Sequence, residues 1–461
     1  MLLAITNQIS LEVAVIPFLW MLPLALYLLS FILCFEYERS YHRGVWLPLL
    51  GLSGGAVAAA LLIGVHVPMA GQLAIYLVAL MAYCMVCHGE LVRRKPGPRY
   101  LTSFYLTVSA GGALGGIFTG IIAPTCFLGL WELPLALVAG IALALVVVDR
   151  DPALGLRRRR GARGIFGAIG LYLAGLCGAL GYHAWYEYAD NVFVDRGFFG
   201  TLRIDLNAGR ESGPYLRLRH GRIIHGIQFV DEDLRRRPNS YYGPKSGVGL
   251  GVLHRRGGEG RAIHLGVIGL GTGTIAAYGE AGDRLRFYEI DPDVLALSAG
   301  DDPFFTYLRD TPAEVTTVLG DARLSLEREE DQGFDVLVVD AFSSDSIPAH
   351  LITVEAIELY LRHLAPDGII ALHISNRYLD LDPLARGLAE ALDLAVIHVG
   401  DYRDGDRIWP SDWMLLSRDR SILDEDTPID KAATPESEES LARARPLWTD
   451  ASSNLLEVLK L

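Results

Sequence analysis

Ahead of residue 186 the chain carries about six apolar stretches, near 13 to 35, 44 to 66, 69 to 88, 100 to 124, 126 to 148 and 164 to 185. Each is long enough to cross the hydrocarbon core of a bilayer as a helix. Helices buried inside one large soluble core would keep a polar face, and these show almost none. The pattern predicts an N-terminal all-α multi-pass membrane domain over residues 1–186, placed in the inner (plasma) membrane with the lipid bilayer as its partner. The hydrophobic share of 51% is concentrated there, which leaves the rest of the 461-residue chain with an ordinary soluble composition.

The distribution of charge and sulfur narrows the chemistry. All five cysteines, Cys34, Cys84, Cys87, Cys126 and Cys177, lie in the apolar part, so the soluble part rests on neither disulfides nor thiolate zinc sites, and no metal is expected. Cys84 to His88 has the spacing of a c-type haem attachment site, but it ends an apolar helix just before Arg93, Arg94 and Lys95, on the wrong face for haem. A formal net charge of -13 speaks against nucleic acid as a partner and is compatible with a cationic substrate. Gly111, Gly112, Gly115, Gly116 and Gly120 recur along the fourth stretch, where they predict close helix packing. Of the ionisable groups in or beside apolar segments, His88 and Glu90 read as interface residues that snorkel, while Glu132 and His183 stay open.

Loop charges and cofactor supply pull the soluble part to opposite sides. Arg93, Arg94, Lys95 and Arg99, and then Arg157 to Arg160 with Arg163, place two loops in the cytoplasm. One further crossing at 164 to 185 would export the soluble part. Either that segment does not cross fully, or the arginine rule misleads, or the soluble part is external; dependence on an intracellular cofactor favours the cytoplasm.

The soluble part opens with a small β-rich module over 187–256, whose short runs FFGTLRIDL and YLRLRHGRIIHGIQFV alternate with turn residues. A Rossmann-like α/β domain is predicted over 257–420. There the apolar runs Ile263 to Ile268, Leu285 to Ile290, Val315 to Leu319, Val336 to Val339, Ile369 to Ile374 and Leu394 to Val399 alternate with helical segments, the mark of a mostly parallel sheet. An acidic linker over 421–446 and a docking helix carrying Trp448 complete residues 421–461.

Candidate ligands collect at the carboxyl ends of such strands. Gly269, Gly271 and Gly273 follow the first strand, so the chain must turn sharply there and admit a ligand against bare backbone. A dinucleotide fingerprint would place its third glycine at 274, where Thr274 stands. The spacing instead favours a loop of the type that binds an adenosyl sulfonium. Glu289 ends the second strand, placed to accept ribose hydroxyls, with Asp291 just beyond it. Asp321, followed by Ala322, ends the third, placed either for an adenine amino group or as a helix N-cap. Asp340 ends the fourth and Asp345 follows in AFSSDSIPAH. Two carboxylates beside a sulfonium suit binding of an ammonium and acceptance of its proton. With an unperturbed ammonium near pKa ~10.4 and a carboxylate near ~4, Asp340 would mainly orient the amine while burial lowers the amine's own pKa.

These motifs carry a resemblance. DRGFFGTLRI, LRHGRIIHGIQF, PNSYYGPKSGVGL, the glycine turn, FYEIDPDV, GDAR, DAFSSDSIPAHL and PLWTDASSNLLEVLK are similar to the spermidine synthase family, in particular to its membrane-bound, facilitator-fused members; CMVCHGEL and GGALGG look like the same group. The resemblance implies a class I methyltransferase-like Rossmann domain that transfers an aminopropyl or related alkyl group from decarboxylated S-adenosylmethionine, or S-adenosylmethionine itself, to a small amine. It gives Gly269, Gly271, Thr272 and Gly273 to the donor loop, Glu289 to the ribose, Asp321 to the adenine and Asp340 to acid/base catalysis.

Three departures from that pattern bear on the acceptor. Thr272 replaces the loop aspartate that reads the donor's terminal ammonium, His220 replaces the aspartate of L-D-G, and His350 replaces the glutamate of P-A-E. Putrescine is therefore an uncertain fit, and His220, His225, Gln228, Tyr241, Tyr242 and His350 form the candidate acceptor pocket. Rival expectations are methyl transfer and a non-catalytic nucleotide sensor. Six helices are half of a full transporter, so transport by this chain alone is not expected. A homo-oligomer and a start internal to a longer fusion are both compatible with the sequence.

Overall fold

The computed structural model describes residues 1–10, 20–37, 39–151, 162–209, 213–221, 223–257, 261–341, 348–377, 379–402, 407–436, 440–441 and 443–460. It divides into two compact units, Met1–Thr201 and Leu202–Leu461.

The first unit is helical: α1 (Leu2–Gln8), α2 (Met21–Glu36), α3 (Arg43–Ile63), α4 (Met69–Arg93), α5 (Leu101–Ile117), α6 (Ala123–Cys126), α7 (Glu132–Asp149) and α8 (Ala162–Tyr188), followed by strand β1 (Asn191–Gly197). Among the described residues five helical segments are long and apolar enough to cross a membrane by length and composition: Arg43–Ile63, Met69–Arg93, Pro98–Cys126, Glu132–Asp149 and Phe166–Tyr188. These correspond to the second through sixth expected stretches. Of the first, the described helix covers only the 16 residues Met21–Glu36, and residues 11–19 lie outside the described residues. Arg157 to Arg160 also lie outside the described residues.

Burial in this unit revises the reading of its charges. Glu90 is buried rather than snorkelling, because it is neutralised on the spot. It accepts from Tyr41 Oη at 2.9 Å, from Arg43 Nε at 2.6 Å and Nη2 at 2.7 Å, and from Arg94 Nη1 at 2.7 Å. Gly89 makes room for this: a Cβ there would lie 2.2 Å from the Tyr41 ring. His88 is likewise buried, its Nδ1 3.1 Å from Ser30 Oγ. Glu132 takes both arms of Arg196, at 2.9 and 3.1 Å, with Asn7 Nδ2 at 3.4 Å, which explains how an acid survives in that apolar setting. The glycine series on α5 and just beyond it is not used for packing among the described residues: outside the helix's own backbone, no atom lies within 4 Å of where the Cβ atoms of Gly111, Gly112, Gly115, Gly116 or Gly120 would stand.

The second unit begins with an antiparallel meander of β2 (Gly200–Asn207), β3 (Tyr215–His220) and β4 (Ile223–Phe229), in register Leu202 to His220 and Tyr215 to Phe229. Helix α9 (Gly247–Arg256), capped by Ser246 Oγ accepting from Gly249 N, leads into the second sheet. That sheet and its helices run β5 (His264–Ile268), β6 (Arg284–Glu289), α10 (Pro292–Ala299), α11 (Tyr307–Asp310), β7 (Glu314–Leu319), α12 (Ala322–Arg328), β8 (Phe334–Val339), α13 (Val354–His363), β9 (Leu364–His373), α14 (Asp382–Ala391), β10 (Ala395–Asp401), β11 (Ser411–Ser417) and α15 (Pro428–Ala432).

The seven strands lie in the order β10-β11-β9-β8-β5-β6-β7. Six run in one direction, and β11 runs antiparallel between β9 and β10. This is the doubly wound, Rossmann-like arrangement with one reversed strand. The chain moves outward one way from β5 through β6 to β7 and the other way through β8 to β9, so the crevice where direction switches opens between β5 and β8. The buried runs LGVI, VLVV and IIAL fill the centre, which is why no alternation of polar and apolar residues marks these strands.

Three segments differ from expectation. β11 is an additional strand, and among the described residues no helix separates it from β10. Within the expected acidic linker, Ile429 is buried and Ala433 bridges to Val399, so residues 428–433 pack on β10. Trp448 is buried, with its carbonyl accepting from Val354 N at 2.9 Å, but the segment after it forms a short 3-10 turn, Leu455–Val458, in place of a helix.

Candidate functional site

The site is assembled at the carboxyl ends of β5, β6 and β8. All three glycines after β5 adopt left-handed conformations, with φ of +95° at Gly269, +53° at Gly271 and +78° at Gly273. Space requires glycine as much as angle does: a Cβ on Gly269 would stand 2.3 Å from the carbonyl oxygen of Asp340, and one on Gly273 2.2 Å from Leu308 Cδ1. The turn continues into a five-residue 3-10 helix, Thr274–Tyr278, in place of the expected α-helix. A turn that short has no macrodipole to hold a pyrophosphate.

Thr272 faces inward. It is buried, its Oγ1 is 2.8 Å from Thr274 Oγ1, and a Cβ on Gly226 of β4 would lie 2.3 Å from it. It braces the turn against β4.

Glu289, at the end of β6, is buried. Its Oε2 accepts from Leu270 N at 3.0 Å and its Oε1 from Asp291 N at 2.9 Å. Burial raises its pKa above the usual carboxylate value, against the opposing pull of those backbone N–H groups. Each oxygen keeps a further lone pair for a ligand hydroxyl. Between Glu289 and Asp291, Ile290 is 47% exposed, an apolar surface at the strand tip against which a flat ring would stack. Nothing in the sequence pattern separates Ile290 from the strand's buried residues.

Asp291 and Asp321 are helix caps. Asp291 accepts from Asp293 N at 2.9 Å ahead of α10, and Asp321 Oδ1 from Leu324 N at 2.9 Å ahead of α12. Asp321 Oδ2 also meets His350 Nε2 at 2.9 Å. His350 is therefore drawn to the β7 end of the sheet. Ala322, first residue of α12, is buried.

Asp340 follows β8, its amide donating to Ile268 O at 2.9 Å, and its side chain is only 5% exposed. Oδ2 accepts from Tyr242 Oη, and Oδ1 faces His373 Nδ1 at 2.6 Å. His373 ends β9 and is stacked between Trp413 of β11, with centroids 4.5 Å apart, and Tyr241, at 4.8 Å. Its Nε2 lies 2.9 Å from Ser375 Oγ, which in turn accepts from Asp412 N at 2.7 Å. Burial, with the Asp340 charge next, pushes both Tyr241 and Tyr242 well above the ordinary phenol value, so both stay protonated donors. His373 and Ser375 escaped the reading of the sequence: "HIS" at a strand end is an unremarkable tripeptide until the neighbouring strand brings Asp340 beside it.

His225 of β4 completes this side. Tyr241 Oη donates to its carbonyl at 3.2 Å, and Gly271 approaches the same oxygen, a Cβ there falling 3.1 Å away. Its ring lies 5.6 Å from that of His220, and its Nε2 is buried with no hydrogen-bond partner. Burial lowers its pKa to about 4, with His220 adding to the shift and Asp340 opposing it, so the ring is neutral at physiological pH.

The expected acceptor pocket thus divides. Tyr241, Tyr242, His220 and His225 gather around Asp340 and the glycine turn. Gln228 does not join their hydrogen bonding, because its amide is committed to Arg235 O at 3.0 Å, Thr306 Oγ1 at 3.1 Å and Thr306 N at 2.8 Å. His350 belongs to Asp321. Asp345 lies outside the described residues. No group of three or more potential metal ligands occurs among the described residues.

No protein-family model matches the sequence, and no curated protein matches it. Solved structures with detectable likeness include spermidine synthase from Thermotoga maritima, at 15% identity and a TM-score of 0.36 over 57% of this chain and 82% of that one. A probable spermidine synthase from Corynebacterium glutamicum gives 16% identity and a TM-score of 0.40 over 57% and 98%. MNMC2 from Aquifex aeolicus gives 14% and 0.33 over 55% and 82%.

Proposed function

We propose that the C-terminal unit is a transferase that moves an alkyl group from an adenosyl sulfonium to a small amine, tethered to the membrane by the N-terminal helices. The observation that carries this is the placement of Glu289 and Asp340 on the strands flanking a turn of three left-handed glycines, with the sheet's switch point between β5 and β8. Such a donor fits the residues present. The glycine turn is packed so closely against Asp340 O, His225 O and Leu308 that it admits no Cβ, Ile290 offers an apolar face, and Glu289 keeps lone pairs for ribose hydroxyls. When bound, the donor supplies an electrophilic carbon on positively charged sulfur. On the acceptor side, Asp340, Tyr242 and the bare Nε2 of His225 surround the amine. The amine acceptor, the donor, the bilayer tether and the cytoplasmic placement of this unit belong to the same proposal.

Aminopropyl transfer is the first reading, by the resemblance. Methyl transfer is the second, favoured by Thr272: its hydroxyl is bonded to Thr274 and turned under Gly226, so it does not offer the charge that would read a terminal ammonium. Product analysis with the purified chain separates them. Methylthioadenosine from decarboxylated S-adenosylmethionine marks aminopropyl transfer, S-adenosylhomocysteine from S-adenosylmethionine marks methyl transfer, and binding with neither product returns the protein to a sensing role. Asp340→Asn should abolish turnover while donor affinity persists; an unchanged rate would remove Asp340 from the mechanism.

A further inference from the structure

Asp340 has an unusual pair of neighbours for a residue meant to take a proton from substrate. Both carboxylate oxygens are already engaged, by Tyr242 and His373, and the side chain is almost fully enclosed. A carboxylate accepts only, so its contact at 2.6 Å fixes the His373 proton on Nδ1. In the neutral imidazole the lone pair then sits on Nε2, 2.9 Å from Ser375 Oγ, which donates to it while accepting from Asp412 N at 2.7 Å. These contacts are mutually consistent with one tautomer. The imidazole cannot swing, being clamped face to face between Trp413 and Tyr241. Ser375 is half-buried, while the Asp340 and His373 side chains are only 5% and 7% exposed.

We infer that the proton acceptor of this site is His373 Nε2, reached through Ser375 Oγ, and that Asp340 is the positioning carboxylate that holds the imidazole and stabilises it when charged. The assignment rests on the transferase reading above. It matches the division of labour in a Ser-His-Asp relay, where the aspartate orients histidine and is not itself protonated. In the step, the acceptor nitrogen forms its new bond to carbon as the carbon–sulfur bond breaks, with its electron pair left on sulfur. The proton released from nitrogen passes to Ser375 Oγ while the Ser375 proton passes to His373 Nε2, and water later removes it. Among the described residues, the groups facing the imidazole include Asp340 at the end of β8, Tyr241 and Tyr242 from the segment before α9, and Ser375 itself; the Asp412 carboxylate is turned to His398 at 2.9 Å.

The test uses the full chain in detergent, with decarboxylated S-adenosylmethionine or S-adenosylmethionine as donor and putrescine or butylamine as acceptor. His373→Gln should lower kcat about 100-fold or more with KM nearly unchanged, the range of a lost general base. In His373→Ala, added imidazole should restore part of the rate by entering the slot between Trp413 and Tyr241; a merely structural histidine would show no such rescue. Ser375→Ala should lower kcat with donor affinity intact. Nitrogen-15 histidine NMR of the unliganded protein reads the pair without any turnover: one strongly downfield imidazole proton should be present and should vanish in Asp340→Asn. A His373→Gln enzyme within a factor of a few of wild type, or absence of that proton, overturns the assignment. Absence of transfer by the wild type with that proton present instead overturns the transferase reading and leaves the Asp340–His373 pair standing.

Discussion

Gly269→Ala probes the turn on which the donor site depends. The residue has φ +95°, and a Cβ would stand 2.3 Å from Asp340 O and 3.2 Å from Ala341 Cα, both backbone atoms that cannot rotate away. A left-handed conformation costs a residue with a Cβ about 1–2 kcal/mol, and forcing extra volume into a packed site adds about 1–3 kcal/mol. The expected total is about 2–5 kcal/mol. Gly257→Ala is the control: its φ is +61°, but among the described residues nothing lies within 4 Å of its Cβ position, so only the conformational part applies. For a unit of this size about 1 kcal/mol moves Tm by roughly 2–4 °C. Thermal unfolding followed by fluorescence, to which the buried Trp413 and Trp448 contribute, should show a drop of about 2–8 °C for Gly257→Ala and a larger one, up to about 20 °C, for Gly269→Ala. Donor binding, measured by calorimetry below the transition, should disappear only in Gly269→Ala, because its relief displaces the turn from Asp340. Equal Tm shifts with donor binding retained in both variants would refute the argument that backbone approach at this turn builds the site.

Glu289→Gln should cost about 1–3 kcal/mol, since an amide nitrogen would face one of the N–H groups the carboxylate now accepts. It should also weaken donor binding in calorimetry. Because burial raises the Glu289 pKa in the folded state, its ionisation opposes folding: stability is fullest below the ordinary carboxylate pKa and declines as pH rises through the raised value. Glu289→Gln should flatten that decline in pH-dependent denaturation, and an unchanged profile would clear Glu289 of it. Tyr242→Phe removes a hydroxyl whose bond is to the enclosed Asp340 carboxylate; stability should fall by about 1.5–3 kcal/mol and kcat with it, and a full rate would place Tyr242 outside the chemistry. In the helical unit, Arg196→Met should lower stability by about 3–5 kcal/mol by stranding the Glu132 charge, and adding Glu132→Leu should recover most of it; no recovery would mean that Arg196 acts by packing alone.

Much of the site could be read in one dimension because its carriers sit at strand ends, where an apolar run stops at an acid or a glycine. Glu289, Asp340 and the glycine turn were located this way. The same logic stops short at Asp321 and Asp291, since a strand-end aspartate before a helix serves equally as a cap, and both do. β11 was missed because SDWMLLS has no helix ahead of it to announce a crossover. Its place between β9 and β10 is nevertheless what puts Trp413 on the His373 ring.

The sequence by itself determined the class of each half: uninterrupted apolar runs admit only helices in a bilayer or an apolar bundle, and apolar runs alternating with helical segments admit a parallel sheet with ligands at its carboxyl ends. Partnerships were decided only by tertiary structure. Glu90 with Arg43 and Arg94, Glu132 with Arg196, Gln228 with Thr306, His350 with Asp321, and Asp340 with His373 and Tyr242 are contacts between residues up to 98 positions apart. A side chain's spacing along the chain states which face it occupies; whether it is neutralised, oriented or left free depends on which neighbouring strand or helix arrives beside it.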